Sequence, residues 1–286
     1  VRHDLVSQGS FAAAKSVPDF LARYKEVLVA VGHRLSQDIR LTFRIVRLLC
    51  TQKMDGADIQ MRKDVVRILD QCLLPSLSLI KDPNPPLVFQ IWELLSQFPF
   101  ALRFDLYERW RSEHYERIPA LQLKLAEAKY EARQVLKRVA NGKEAMRLVS
   151  KRLARASHNN PVVSLSALLD NIQSYDNLIP IMVDAMKHLS PLAFDAMAYL
   201  LVACLGKDER SKIKADGQAH SNWLQALCKF AGYFYLKFPS VELGALLHYV
   251  ARQLKLHRSL DLLVVEEIVA RMAGIEVIED YSDDML

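Results

Sequence analysis

The stretch AHSNWLQALCKFAGYFYLKF (residues 219–238) decides the fold class of this chain. Large apolar side chains recur along it at helical spacing and cover most of the circumference of the predicted helix. They are Trp223, Leu224, Leu227, Phe230, Phe234, Tyr235 and Phe238. A helix that is apolar on nearly every side has to be buried between other helices. The stretch therefore predicts an all-α protein in which helices are packed in layers.

Outside this stretch, apolar residues follow the same helical period almost everywhere. The pattern predicts about thirteen helices joined by short loops, and no segment shows the period-two alternation of a strand. The 286 residues include only 9 Gly and 11 Pro, too few for a β protein with many turns. A row of helix pairs, each packed between its neighbours, is an α-solenoid. Because no strict period appears, we predict an irregular HEAT-like repeat, with a compact helical bundle as the alternative.

Local signals predict where individual helices begin and end. Gly32 is expected to stop a helix, and Ser36 is expected to cap the start of the next one. Pro75 is expected to end the helix that covers 58–74, and Asn141-Gly142 is expected to break a long helix that starts at Pro119.

The composition and the motifs argue against several function classes. No apolar run has the length that spans a bilayer, and the first residues lack the apolar segment of a signal peptide. We expect no membrane partner, no metal and no cofactor, since phosphate-binding loops and clustered zinc ligands are missing from the sequence. The four cysteines are expected to be buried thiols in a reducing compartment. They are Cys50, Cys72, Cys204 and Cys228.

The segment SHNNP (157–161) contains the histidine that most resembles a catalytic residue. His158 is expected to lie in a loop, but no acid and no oxyanion hole can be assigned to it. We interpret the segment as an ordered break in which Ser157, Asn159 and Asn160 bond to freed backbone groups and Pro161 starts the next helix. The chain is accordingly predicted not to be an enzyme.

Residues 124–155 contain ten Lys or Arg and only three acids. Seven of these cations form two ridges with a spacing of four residues, which places them nearly above one another on a helix. The first ridge is Lys129, Arg133 and Lys137, and the second is Lys143, Arg147, Lys151 and Arg155. Three interpretations stay open: a solvated face, a site for an RNA phosphate backbone, or a site for an acidic protein partner. The absence of interleaved exposed aromatic residues argues against base stacking.

Six segments of the sequence resemble the middle region of the THO complex subunit 2 family, in the same order. They are GHRLSQDIRL (32–41), LLPSLSLI (73–80), LRFDLYERWRSEHY (102–115), SHNNPVVSLSALLDNIQSYDNLI (157–179), LLHYVARQLK (246–255) and DLLVVEEIVARMAGIEV (261–277). The match runs from about residue 32 to 278, and the first thirty residues and 141–156 depart from it most.

The resemblance implies a nuclear, non-enzymatic scaffold of the THO/TREX assembly, which acts in mRNA processing and mRNA export. It implies that the fold is related to MIF4G domains, and that the partners are other THO subunits and a DEAD-box RNA helicase. We expect a MIF4G-like helical array over 1–156, a continuing array over 157–274 and an acidic tail over 275–286. The alternatives are direct RNA binding through residues 124–155, or a translation scaffold of MIF4G type.

Overall fold

The computed structural model describes residues 14–136, 143–173, 178–207, 212–213 and 220–275. These residues form fifteen α-helices. They are α1 (Val17–Val31), α2 (Ile39–Cys50), α3 (Ile59–Ile68), α4 (Leu74–Leu79), α5 (Pro85–Leu95), α6 (Phe100–Arg109), α7 (Tyr115–Arg117), α8 (Pro119–Leu136), α9 (Lys143–Asn159), α10 (Pro161–Ile172), α11 (Ile179–Ala185), α12 (Pro191–Leu205), α13 (Asn222–Lys237), α14 (Gly244–Lys255) and α15 (Leu262–Met272). Within the described ranges no residue lies in a β-strand, and only Ile213 and His220 form an isolated bridge. The predicted all-α class is confirmed.

The helices pack in consecutive layers that share members. Helix α1 packs on α3, α2 packs on α5, and α4 packs on α8. Helix α10 lies between α8 and α12, and α13 lies between α11 and α15. Each layer therefore buries its apolar faces against the layers on both sides, as in a helical repeat. The relation to MIF4G domains stays a prediction.

Helix α13 is buried as its sequence predicts. Five of its large apolar side chains are almost completely buried, while Trp223 and Phe238 are partly exposed. The five are Leu224, Leu227, Phe230, Phe234 and Tyr235. Helix α15 approaches so closely at Gly232 that a Cβ atom there would lie 2.9 Å from the carbonyl oxygen of Glu267. Apolar side chains on both sides and a glycine at the closest approach fix α13 in the centre of its layer.

The start of α2 differs from the prediction. Gly32 ends α1 as expected, with φ of +54°. The chain then makes a 3₁₀ turn over Gly32–Gln37, and this turn carries it past Ser36. The N-cap is Asp38, whose carboxylate accepts a hydrogen bond from the Leu41 N–H at 2.9 Å. The prediction that Ser36 caps α2 is wrong because the 3₁₀ turn delays the start of the helix by two residues.

The predicted helix end at Pro75 is also wrong. A π turn over Leu69–Leu73 connects α3 to α4, and Pro75 lies inside the first turn of α4. Proline normally breaks a helix because its ring clashes with a carbonyl one turn earlier and it has no N–H. A π turn widens the helical backbone just before Pro75 and makes room for the proline ring. The helix therefore continues through Pro75 without a break.

The cysteines behave largely as predicted. All four are free thiols; Cys72, Cys204 and Cys228 are buried, and Cys50 is partly exposed. Burial raises the pKa of Cys72 to about 12, so this thiol stays protonated at neutral pH. In the part of the chain that the structure describes, no helix combines the length and the apolar character that crossing a membrane demands.

Candidate functional site

The first predicted ridge lies at the edge of α8. Leu121, Ala128 and Ala132 are buried and hold this helix against its neighbours α4 and α10. Lys129 and Arg133 are exposed and lie on the side that borders α10. Lys137, the third predicted member of this ridge, lies outside the described residues.

Lys129 and Arg133 line a cleft of about 570 Å³ between α8 and α10. Two further cations line the same cleft: Arg111 from the π turn Trp110–His114, and Lys207, which follows α12. We call this site the basic cleft and define it by Arg111, Lys129, Arg133 and Lys207. The fold thus brings together four cations from three separate parts of the sequence.

The four cations of the basic cleft differ in how they are held. Arg111 bonds to the carboxylate of Glu108 at 3.2 Å, and its guanidinium carbon lies 5.8 Å from the centre of the Tyr199 ring. Among the described residues, none forms an ion pair with Lys129, Arg133 or Lys207. One cation is therefore fixed in orientation, and Asp170 of α10 lines the same cleft and offsets part of the positive charge. The cations outnumber this carboxylate, so the cleft still attracts an anionic ligand.

The second predicted ridge lies on α9. Val149 and Leu153 are buried, and this leaves Arg147, Lys151 and Arg155 exposed. We call these three residues the α9 ridge. Lys143 begins the helix, but its side chain lies outside the described residues.

Arg155 of the α9 ridge does not share a surface with Lys129 and Arg133 of the first ridge. Arg155 lines a groove with Tyr130 and Gln134 of α8, on a different side of that helix from Lys129 and Arg133. The sequence predicts two ridges on consecutive helices, and α8 separates them. Any ligand of the basic cleft and any ligand of the α9 ridge would thus contact different surfaces.

His158 lies in the last turn of α9 rather than in the predicted loop, because this helix extends to Asn159. Its ring is partly buried, and burial lowers its pKa, so it is neutral at pH 7.

In the described ranges, no three His, Cys, Asp or Glu residues are grouped in a way that could hold a metal ion.

The polar residues around His158 connect distant helices. Ser157 donates to the Leu153 carbonyl oxygen inside its own helix, and the Asn159 side chain donates to the carbonyl oxygen of Ile80 at 2.7 Å. Both are bonds to backbone groups, but neither acceptor is a group freed at the break. Asn160 differs from the prediction, since it accepts a hydrogen bond from the Tyr115 hydroxyl at 2.5 Å. Pro161 begins α10 as expected. Asn160, the single residue between α9 and α10, is thus held by Tyr115 of α7. Local sequence patterns cannot predict a contact between residues so far apart in the sequence.

Comparison with known proteins agrees with the resemblance found in the sequence. The family model described as THO complex subunit 2 N-terminus matches residues 9–147, and the model described as transcription- and export-related complex subunit matches residues 153–228. THO complex subunit 2 of Homo sapiens is 34% identical over 284 residues, which cover 96% of this chain. The chain belongs to the THO complex subunit 2 family.

More distant members of the family match as well. THO complex subunit 2 of Arabidopsis thaliana is 32% identical over 91% of the chain, and that of Saccharomyces cerevisiae is 24% identical over 73%. The chain spans only 18% of the human relative, 15% of the plant relative and 13% of the yeast relative. It therefore corresponds to a limited part of these long family members.

A second polar cluster in this THO complex subunit 2 family member lies at the junction of α5, α6 and α12. Arg103 donates from Nε and Nη2 to the two carboxylate oxygens of Asp195, at 2.9 and 3.0 Å. It also donates to the carbonyl oxygen of Phe98 at 2.7 Å and to Glu242 at 2.7 Å. Tyr107 donates to Asp195 at 2.8 Å, and burial raises the pKa of this phenol well above its ordinary value. Arg103, Tyr107 and Asp195 are buried, while Glu242 is half exposed and borders a cleft of about 540 Å³. The bonds of Arg103 to Asp195 and Phe98 join α6 to α12 and to the turn after α5.

Sequence patterns predict neither Arg111 and Lys207 in the basic cleft nor the Arg103 cluster. Arg111 and Lys207 lie in the sequence far from Lys129 and from each other, and neither belongs to a periodic run of cations. Arg103 and Asp195 are 92 positions apart. A single charged residue on a helix gives no local sign of such a distant partner.

Proposed function

We propose that this chain is a non-catalytic scaffold segment of a nuclear THO complex. It holds other THO subunits and a DEAD-box RNA helicase in fixed positions while nascent mRNA is processed and exported. The observation that carries this proposal is the 34% identity to a THO complex subunit over nearly the whole chain. The proposal includes a division into helical arrays over 1–156 and 157–274 and an acidic segment over 275–286.

The packing of the helices supports a scaffold mechanism. Layers that share helices move little relative to one another, because displacing one helix opens apolar surface in two layers. Partner proteins that bind to different layers would therefore be held at fixed distances. A helicase bound at two points on such a frame would have its two lobes oriented before ATP binds, while the ATP chemistry belongs to the helicase.

We expect the chain alone to show no ATPase activity and to change the ATPase rate of the helicase when both are mixed. The rate should change because a bound scaffold alters the closure of the helicase lobes. The measurement is the steady-state ATPase rate of the helicase at increasing scaffold concentration, together with co-purification of tagged chain and the other THO subunits. An unchanged rate at saturating scaffold contradicts the helicase role, and failure of the subunits to co-purify contradicts the scaffold role.

The α9 ridge supports a second candidate function, which is direct RNA binding. Arg147, Lys151 and Arg155 are exposed and lie on one side of α9, and no ion pair to them occurs among the described residues. Neutralising RNA phosphates with such cations releases counterions, so the binding constant falls steeply with salt concentration.

We expect the triple variant R147E/K151E/R155E to abolish RNA binding and to leave assembly with THO subunits intact. The measurement is the affinity for single-stranded RNA across a series of salt concentrations, with co-purification of THO subunits as the control. Retained RNA binding with lost assembly would instead identify the α9 ridge as a protein interface.

A further inference from the structure

The basic cleft presents converging cations together with an apolar floor. Lys129, Arg133 and Lys207 line one concavity beside the fixed guanidinium of Arg111, and these cations outnumber the carboxylate of Asp170 in the same lining. Aliphatic side chains form the floor between them, and hydroxyl and amide groups lie at the side. The aliphatic residues are Leu125, Ala167 and the largely buried Val162 and Val163, and the polar ones are Ser166, Asp170 and Asn171.

This lining matches a peptide better than a nucleic acid. Among the residues that the structure describes, no aromatic side chain lines the cleft and offers a ring on which bases could stack. An aliphatic floor contributes to binding by burying aliphatic groups, which peptides have and RNA lacks. Ser166 and Asn171 can pair with the amide groups of an extended peptide backbone. The volume of about 570 Å³ also lies in the range of ligand-binding pockets.

We propose that the basic cleft docks an acidic segment of a partner protein in which carboxylates alternate with aliphatic side chains. The carboxylates pair with Lys129, Arg133 and Lys207, and an aliphatic side chain lies on the floor near Leu125 and Ala167. The inference rests on the proposed scaffold function and names the chemistry of one partner. It assigns no role to the α9 ridge.

The test measures binding of a labelled peptide made of Glu-Asp-Leu repeats to the whole chain by fluorescence anisotropy. We expect the wild-type chain to bind this peptide and the variant K129E/R133E/K207E to bind it roughly a hundredfold more weakly, because like charges then face each other across the cleft. The charge-matched control is R147E/K151E/R155E on the α9 ridge, and its affinity for the peptide should stay within about twofold of wild type.

Two further probes separate docking from simple charge attraction. A peptide in which Ser replaces every Leu should bind about tenfold more weakly, since it loses the contact with the aliphatic floor. Single-stranded polyuridine of equal length should not compete with the acidic peptide at equal concentration. The proposal is overturned if the wild type does not bind the peptide, if the cleft variant binds it normally, if Leu and Ser peptides bind equally, or if polyuridine competes. Because this assay contains no THO subunit, its result is independent of the co-purification experiment.

Discussion

Replacing Arg103 with Met is expected to lower the free energy of unfolding by about 3–5 kcal/mol, because it leaves the buried carboxylate of Asp195 without its cation. Arg103 and Asp195 are only 5% and 6% exposed, so bulk water compensates poorly for the lost guanidinium. The substitution also removes the donor to the carbonyl oxygen of Phe98. Denaturation with urea, followed by circular dichroism, measures the loss.

Two variants serve as controls for Arg103→Met. Arg23→Ala removes an exposed ion pair with Asp19 in α1 and should lower the free energy of unfolding far less than Arg103→Met does. The combined variant R103M/D195L/Y107F replaces the buried polar groups with apolar side chains, and it should recover at least about half of the loss. A loss below about 1 kcal/mol in the single variant would show that the cluster does not hold α6 and α12 together.

Replacing Trp110 with Ala is also expected to cost about 3–5 kcal/mol, because the side chain is fully buried and the change leaves a large cavity. The indole N–H donates to the Ser78 hydroxyl at 2.9 Å, and Ser78 in turn lies 3.1 Å from the Tyr115 hydroxyl. Trp110 is therefore joined to the Tyr115–Asn160 bond that fixes the turn between α9 and α10. The variant removes apolar contacts and one end of this chain of hydrogen bonds together.

Trp110→Phe separates these two contributions. It keeps most of the apolar volume and removes the indole donor, so the expected cost is about 1–2 kcal/mol. Urea denaturation of both variants measures the difference, and an unchanged dependence on urea concentration indicates that the unfolded state is the same. Equal losses for Trp110→Ala and Trp110→Phe would contradict the cavity argument and attribute the effect to the hydrogen bond.

The helical class, the burial of α13 and the exposure of the described ridge residues follow from the sequence alone. These features depend on periodicity, and an α-helix places residues three and four apart on the same face whatever surrounds it. The effects of Gly32 and Pro161 are also predictable from the sequence, because their backbone preferences act only on the turn that contains them. The six quoted segments also identify the family before any fold is known.

The tertiary structure decided the features that depend on distant residues. Pro75 lies inside a helix because the π turn before it widens the backbone, and Asn160 bonds to Tyr115 because α7 packs against the turn between α9 and α10. Lys207 joins Lys129 and Arg133 only because α10 packs between α8 and α12. Arg155 is separated from Lys129 and Arg133 because it borders a different side of α8. Periodicity fixes which face of a helix is buried, but only packing fixes which other helix covers that face.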